Sequence, residues 1–315
     1  MRTWWIVAWL SIGLAACATG TPDAPVASAA PLQAVQISRH AWYVQGHSAL
    51  GSRENRNFIS NAGFVVTPEG VVVIDALGSP ALARALLQTI KGVTPLPVTR
   101  VILTHYHADH VYGLQVFKAA GATVIAHERG REYLNSETAR LRLKSSIDAG
   151  LTEPDTHFVP ADVWVSGSTS MDAGGMRLEA MYVGPSHTPE DLAVYVPSEG
   201  VLFAGDLVFR GRVPFVGEAD SRRWIASLDQ LLKLPVKVIV PGHGPYSTEP
   251  RAELQLTRDY LAYLRQTMGA AAREMTPFDE AYQATDWSRF DRLPLFKEAN
   301  RMNAYNTYLL MEQQK

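Results

Sequence analysis

The sequence predicts an α/β fold built from two packed halves. Short runs rich in Val, Ile and Phe, such as 71–75 and 201–205, are bounded by turn residues and indicate buried strands. Segments with helical spacing of apolar residues, such as 81–91 and 221–234, follow within each half. Because this pattern of strands followed by a helix and a strand occurs twice, we expect two α/β halves packed against each other.

The first 17 residues predict a lipoprotein signal peptide. One Arg precedes an apolar stretch, Trp4 to Leu14, that is too short to span a bilayer. The stretch leads into Cys17, the only cysteine, in a Leu-Ala-Ala-Cys sequence that resembles a bacterial lipobox. Lipid on Cys17 would anchor the protein facing the periplasm. An Asp directly after the lipidated Cys is the signal that keeps such lipoproteins out of the outer membrane, and Ala18 stands there, so the outer membrane is expected. The mature protein then has neither disulfides nor thiolate ligands.

The rest of the chain divides by composition into three segments. Residues 18–34 are rich in Ala, Pro, Ser and Thr without an apolar period, which predicts a flexible linker. A folded domain is expected over 35–248, and a helical extension over 249–315.

The elements of the folded domain follow from local signals. Ser79 and Pro80 are typical of an N-cap and a first helical residue, and Gly92 predicts the end of that helix. Residues 127–148 carry many charges with spaced Leu, which indicates an exposed helix or lid. The predicted strands are 41–46, 58–67, 71–75, 98–103, 122–126, 162–166, 176–183, 191–196, 201–205 and 236–240, and the helices are 81–91, 114–119 and 221–234.

The most informative stretch follows strand 98–103, where three histidines and an aspartate occur within six positions. It reads His-Tyr-His-Ala-Asp-His from His105 to His110, and these side chains are zinc-type ligands. The two-residue spacing of His105 and His107 lets both rings point at one ion from an extended turn, whereas neighbours on a helix face are three or four residues apart. We therefore predict a metal cluster built on a loop, with Asp109 and His110 facing a neighbouring position.

Three more ligand-type residues stand at the ends of predicted strands. His187 lies in a Gly/Pro turn, Asp206 ends an apolar strand, and His243 is flanked by glycines after another. Each fits a turn or capping residue when taken singly. Together with the His-rich stretch they indicate one joint metal site.

These motifs resemble those of the metallo-β-lactamase superfamily over residues 35–248. The resemblance implies an αβ/βα sandwich of two mixed β-sheets with helices outside and a binuclear metal site at one edge. It implies that the first metal is held by His105, His107 and His187, and the second by Asp109, His110 and His243. It further implies that Asp206 bridges the two metals and that Asp75 orients ligands from behind.

The branch of the superfamily follows from position 206. The most widespread lactamase subclass has Cys where Asp206 stands, so the ligand set is similar to that of glyoxalase II, lactonases and general hydrolases. The resemblance also implies, for a lactamase, a cation three residues after position 206 that binds the lactam carboxylate. Phe209 stands there instead. Arg210 and Arg212 are candidates for binding a substrate carboxylate, with solvated surface charges as the equal alternative. His47 lies where superfamily members place a substrate-covering hairpin, and is a third candidate.

The ligand set implies a reaction class. Seven oxygen and nitrogen ligands suit two Zn²⁺ per chain, with Fe or Mn as alternatives. The resemblance implies hydrolysis of an ester, thioester, lactone or amide by a metal-bridged hydroxide, with Asp109 holding the proton of the nucleophile. β-Lactam hydrolysis stays open as a side activity.

Two alternatives remain open. A mononuclear iron dioxygenase acting on persulfides shares these motifs, and a non-catalytic metal-binding lipoprotein would keep the fold but is expected to lose ligands. A net charge of −2 leaves no electrostatic footprint for nucleic acid. The expected partners are a small-molecule substrate and the membrane; the oligomeric state is not indicated.

The extension shows helical spacing of Leu254, Leu261 and Leu264, which predicts an amphipathic helix over 251–275. Pro277 ends it, and the aromatic, Asn-rich remainder is expected to dock as further helices. The extension is similar to the tail of periplasmic zinc metallohydrolases of quinoprotein relay systems.

Overall fold

The computed structural model describes residues 30–217 and 219–313. The strands of this part of the chain are β1 (Ala34–Gln36), β2 (Ala41–Val44), β3 (Ala62–Thr67), β4 (Gly70–Ile74), β5 (Val98–Ile102), β6 (Thr123–His127), β7 (Val163–Val165), β8 (Thr169–Asp172), β9 (Arg177–Tyr182), β10 (Leu192–Val196), β11 (Val201–Phe209) and β12 (Val238–His243). The helices are α1 (Pro80–Val93), α2 (Ala108–Val111), α3 (Leu114–Ala119), α4 (Gly130–Leu134), α5 (Glu137–Asp148), α6 (Ser221–Leu231), α7 (Pro250–Glu274), α8 (Phe278–Ala284) and α9 (Phe296–Gln313).

The strands form two mixed sheets. The first contains β1 to β7 in sequence order, antiparallel from β1 to β4 and parallel from β4 to β7. The second has the order β12-β11-β10-β9-β8, with β11 and β12 parallel and the other pairs antiparallel. The expected sandwich of two mixed sheets with helices outside is confirmed.

The central strands β4, β10 and β11 are apolar runs because both of their faces are buried. In β4, Val71 and Val73 point to the α1 side, whereas Val72 and Ile74 point into the layer between the two sheets. Alternate side chains of a strand face opposite ways, so a strand covered on both faces must be apolar throughout. This is why β4 reads as a continuous run of valines and isoleucine.

The C-terminal extension covers the outer face of the second sheet. Trp224 and Leu228 of α6 pack there with Leu261 and Leu264 of α7, all fully buried. Helix α9 then packs along α7. The predicted helical extension is confirmed, and it shares one hydrophobic core with the domain.

Several boundaries differ from the expectations. Ser79 does cap α1, because its side chain accepts a hydrogen bond from the Leu82 N–H. Gly92, however, lies inside the helix, which ends at Thr94, where the N–H donates to the Ile90 carbonyl. Strand β8 was not predicted, because its sequence Thr-Ser-Met-Asp has no apolar run.

The predicted signal peptide, with Cys17 and most of the linker, lies outside the described residues. Within the described part of the chain, no helix combines the length and the apolar character needed to cross a membrane.

Candidate metal centre

The site lies where the carboxyl ends of strands from both sheets meet. His105 and His107 follow β5 in extended backbone, and α2 then begins at Ala108 with His107 as its N-cap. Asp109 and His110 therefore lie on a short helix, whereas the sequence had suggested a cluster built on a loop alone. His187 follows β9, while Asp206 and His243 lie on the neighbouring parallel strands β11 and β12.

The structure brings the seven predicted ligands together in two groups. The first group consists of His105, His107, His187 and Asp206, and the second of Asp109, His110 and His243. Within each group the ligand atoms all lie within 4.8 Å of one another. This grouping matches the division that the resemblance implied.

Asp206 lies between the two groups, with one carboxylate oxygen towards each. Its Oδ2 lies 3.4 Å from His187 Nε2 and 3.9 Å from His105 Nε2. Its Oδ1 lies 3.2 Å from His110 Nε2 and 3.4 Å from His243 Nε2. A carboxylate in this position can bind one ion with each oxygen.

The donor atoms fit metal ions, because buried polar atoms in the cluster lack other partners. His105 Nε2, His110 Nε2 and Asp206 Oδ1 are buried without a hydrogen bond. Leaving such atoms unsatisfied is costly, and bound cations would satisfy them together. Nitrogen and carboxylate oxygen donors without sulfur suit zinc and other divalent transition metals.

Electrostatics keep the imidazoles of the first group neutral, as metal binding requires. Burial, followed by the neighbouring His187, lowers the pKa of His107 to about 3. Burial also lowers the pKa of His105 and of His187. In the second group, carboxylates determine the direction of the pKa shift. Burial by itself would lower the pKa of His110, but the neighbouring charges of Asp206 and Asp109 raise it above its usual value.

Each of three imidazoles is oriented by a group behind it. Asp75 Oδ2 lies 2.8 Å from His110 Nδ1, and the same carboxylate accepts hydrogen bonds from the N–H and hydroxyl of Thr104, both at 2.8 Å. Thr104 Oγ1 lies 3.0 Å from His105 Nδ1, and the Ile59 carbonyl lies 2.8 Å from His243 Nδ1. Each contact leaves Nε2 facing the cluster. Asp75 thus occupies the orienting position that the resemblance implied.

A three-residue segment before β3 positions the second group, and sequence reasoning missed it. The Ser60 hydroxyl donates to the Asp109 carbonyl, and the Asn61 side chain donates to the carbonyls of Pro241 and Gly244 at 2.8 and 2.7 Å. These contacts lie on both sides of His243. The partners of Asn61 are 180 and 183 residues away and that of Ser60 is 49 residues away, so no local signal could have indicated them.

Gly242 is required by close approach. A Cβ at this position would lie 1.9 Å from Asp206 Oδ1 and 2.7 Å from the Gly205 carbonyl carbon. Any other residue would therefore displace the Asp206 carboxylate.

An aromatic wall lies behind the ligands. The Phe209 ring stacks on the His243 ring, with 5.2 Å between the ring centres and an interplanar angle of 3°. It also contacts the His187 ring edge-on, with 5.7 Å between the ring centres. Trp224 contacts His187 from another side at 5.3 Å. Phe209, at the position where a cation was expected, thus packs against a ligand from each group.

The three candidate substrate contacts are placed differently. Arg210 is engaged elsewhere, since its Nε donates to Glu253 at 2.8 Å and its Nη1 to the Tyr246 carbonyl at 2.6 Å. This geometry does not support Arg210 as a substrate contact. Arg212 is neither solvated nor paired in this way: it is 1% exposed, with Nη1 3.3 Å from His243 Nδ1. His47 is exposed on the loop before β3, with its ring against Phe58.

The remaining described histidines lie outside both groups. His40 pairs with Glu199 at 2.7 Å, His127 stacks on Tyr182 at 3.9 Å, and His157 lies 3.0 Å from the Asp155 carbonyl.

Comparison with known proteins gives the family. Residues 55–243, more than half of the chain, match the family model of the metallo-beta-lactamase superfamily. The chain belongs to this superfamily. As a member with the complete His/Asp cluster, it is a metal-dependent hydrolase.

Relatives within the metallo-beta-lactamase superfamily carry different activities. The chain is 27% identical over 214 residues to a type 2 metallo-beta-lactamase of Bacillus cereus, covering 66% of this chain and 75% of the relative. It is 24% identical over 252 residues to a linear primary-alkylsulfatase of Pseudomonas sp. (strain ATCC 19151), covering 68% of this chain but only 47% of the relative. The solved metallo-beta-lactamase of Pontibacter korlensis superposes with a TM-score of 0.58 at 27% identity, covering 73% of this chain and 99% of that structure.

Proposed function

We propose that the protein is a binuclear zinc hydrolase that cleaves an ester, thioester, lactone or amide bond. The observation that carries this proposal is the position of Asp206, with one carboxylate oxygen towards each ligand group. A site for one ion would not need a carboxylate shared in this way. The proposal therefore favours a hydrolase over the mononuclear iron dioxygenase.

Two bound zinc ions would supply a water of lowered pKa and polarise the scissile carbonyl. The residues of the chain orient and shield that chemistry. Asp109 is the carboxylate of the cluster most open to a substrate, with 16% of its side chain exposed against 6% for Asp206. We assign Asp109 the role of holding the proton of the attacking water, in addition to its role as a ligand.

Arg212 favours a substrate that carries a negative charge. Its guanidinium lies next to His243, at the second ligand group, and between the rings of Phe209 and Phe215. Because the guanidinium is 1% exposed, it would attract an anionic substrate through its charge at short range rather than by direct contact. Carboxylate-bearing β-lactams belong to this class as a side activity, and the lactamase of B. cereus is a relative.

The proposal is tested by metal content and by hydrolysis together. The full chain, purified in detergent without added metal, is analysed by elemental mass spectrometry and assayed with thioesters, lactones and β-lactams. We expect about two zinc ions per chain, and hydrolysis that is lost on chelation and restored by zinc. About one iron per chain, with oxygen consumption in the presence of a persulfide, would instead identify the dioxygenase.

The lipobox places the enzyme, in our proposal, on the periplasmic face of the outer membrane. Replacing Cys17 with Ser removes the atom that would carry the lipid. We expect the C17S protein to move from the membrane fraction to the soluble periplasmic fraction, with unchanged specific activity. A C17S protein that still sediments with membranes would refute the anchor, and fractionation with immunoblotting makes the measurement.

A further inference from the structure

The loop after β11 is held by the C-terminal extension. We call residues 211–217 the Arg212 loop. The Val213 N–H donates to the Pro294 carbonyl at 3.0 Å, and the Val216 N–H donates to Asn303 Oδ1 at 2.9 Å. In return, the Asn303 side chain donates to the Pro214 carbonyl at 2.6 Å, and the Asn306 side chain donates to the Gly217 carbonyl at 2.8 Å. Two asparagines of α9 thus bond the loop at three of its residues.

The loop holds an unusual cation. Arg212 is 1% exposed, and its Nη2 is buried without a hydrogen bond. The guanidinium lies 5.5 Å from the centre of the Phe209 ring and 4.9 Å from that of Phe215, and its Nε donates to the Val213 carbonyl at 3.5 Å. Among the described residues no carboxylate lies within salt-bridge distance of it, although Asp206 and Asp109 attract it from further away. Cation–π contacts compensate only part of the lost hydration. An unpaired buried cation therefore tends to move into water unless its backbone is held.

The bonds from α9 oppose that movement. Asn303 is fully buried. Its side-chain oxygen accepts a hydrogen bond from the Val216 N–H, and its side-chain nitrogen donates to the Pro214 carbonyl and to the Tyr260 hydroxyl. By contrast, the neighbouring Arg210 is anchored through its own side chain to Glu253 of α7. The extension therefore holds the backbone on both sides of position 212 while leaving one guanidinium nitrogen free.

We propose that the C-terminal extension determines substrate selectivity: Asn303 and Asn306 are positioning residues that keep Arg212 beside the second ligand group, so that the enzyme prefers substrates with a negative charge. This rests on the proposed hydrolase function. The extension lies beyond the 55–243 segment that matches the family model, and it contributes no ligand to either group.

The first test does not depend on turnover. Trypsin cleaves after arginine, and in the full-length wild type the Arg212–Val213 bond is expected to resist because the loop is held. We expect N303A, and the milder N306A, to be cut after Arg212 at low trypsin, as seen by mass spectrometry of the fragments. The matched control is N300A: Asn300 is a fully buried asparagine of the same helix, but its bonds go to Tyr260 and Tyr282 within the extension.

The second test measures selectivity with two esters of similar length, the anionic mono(4-nitrophenyl) glutarate and the neutral 4-nitrophenyl butyrate. We expect N303A and N306A to lower the ratio of kcat/KM for the anionic over the neutral ester by at least about tenfold, mainly through KM. R212Q should reproduce that loss, and N300A should keep the wild-type ratio. Bound zinc should stay unchanged in all four proteins.

The outcomes separate the two proposals. If neither ester is hydrolysed, the proposed function is contradicted for this bond type, and the trypsin result still decides whether α9 holds the loop. If the esters are hydrolysed but N303A and N306A keep the wild-type ratio, the inference is wrong. It is also wrong if N300A exposes Arg212 to trypsin as readily as N303A does, because the effect is then general destabilisation.

Discussion

Replacing Asp206 with Asn is expected to lower kcat/KM by at least about 100-fold, more than the loss typical of an orienting residue. The amide keeps the shape of the carboxylate but removes its charge, and only one of its two terminal atoms can still bind a cation. Because Asp206 Oδ2 faces the first group and Oδ1 the second, the metal content should fall below two per chain. Steady-state kinetics and elemental analysis of the same preparation make the measurement.

The matched control for this change is D148N. Asp148 is an exposed carboxylate whose salt bridge with Lys144 lies on the surface of α5. Such pairs contribute little to stability, so D148N should keep both metal content and activity. A D206N enzyme with two bound metals and wild-type activity would refute the bridging role.

Replacing His107 with Ala is expected to abolish measurable hydrolysis, a loss of at least about 100-fold, while leaving the fold largely intact. The His107 side chain presents Nδ1 to the first group, 3.0 Å from His187 Nε2, and makes no capping hydrogen bond to α2. The bond that the His107 carbonyl accepts from the His110 N–H is kept in the Ala variant. The second group, Asp109, His110 and His243, remains complete in this variant. Metal content should therefore fall from about two towards one, and the circular dichroism spectrum should be unchanged.

H157A is the control for the loss of an imidazole. His157 is exposed and lies outside both groups, so this variant should behave as the wild type. Full activity in H107A would contradict the site assignment. Loss of the native spectrum in H107A but not in H157A would show that the His107 side chain is needed for folding. We do not expect this, because the cluster lies at the edge of the sheets.

The two variants distinguish a shared ligand from a ligand of one group. Asp206 contacts imidazoles of both groups, whereas the His107 ring contacts His105 and His187 of the first group and the neighbouring Tyr133. D206N is thus expected to weaken both sites, and H107A chiefly one. Titration of each metal-free variant with zinc, followed calorimetrically, measures this difference.

Much of the fold was predictable because it depends on short-range patterns. The run 71–75 became β4, Ser79 and Pro80 began α1, and the apolar spacing of 251–275 became α7. The clustering of the seven candidate ligands was also predictable, since they stand directly at or after strand ends in distinctive motifs. Strand β8 and the true end of α1 were not, because tertiary pairing and packing there outweighed the local signals.

Arg210 and Arg212 show what the sequence cannot resolve. They are the same residue type two positions apart, and the sequence offered one interpretation for both. In the folded chain, Arg210 forms a salt bridge with Glu253, whereas Arg212 lies buried beside His243. Which cation is neutralised depends on a partner 43 residues away, and that distance closes only when α7 packs on β11.

By itself, the sequence determined the layered α/β architecture, the residues of the His/Asp cluster and the family to which they point, because strand periodicity, capping and ligand motifs are local. The tertiary structure alone decided that Asp206 lies between two groups, that Ile59 to Asn61 hold the second group, and that α9 holds the Arg212 loop. The hydrogen bonds join segments 87 to 184 residues apart, and the contact of Asp206 with His110 joins the two sheets. A hydrogen bond or a shared ligand between such segments forms only if the atoms are placed to within a few tenths of an ångström. The packing of the two sheets and of the helical extension sets that placement.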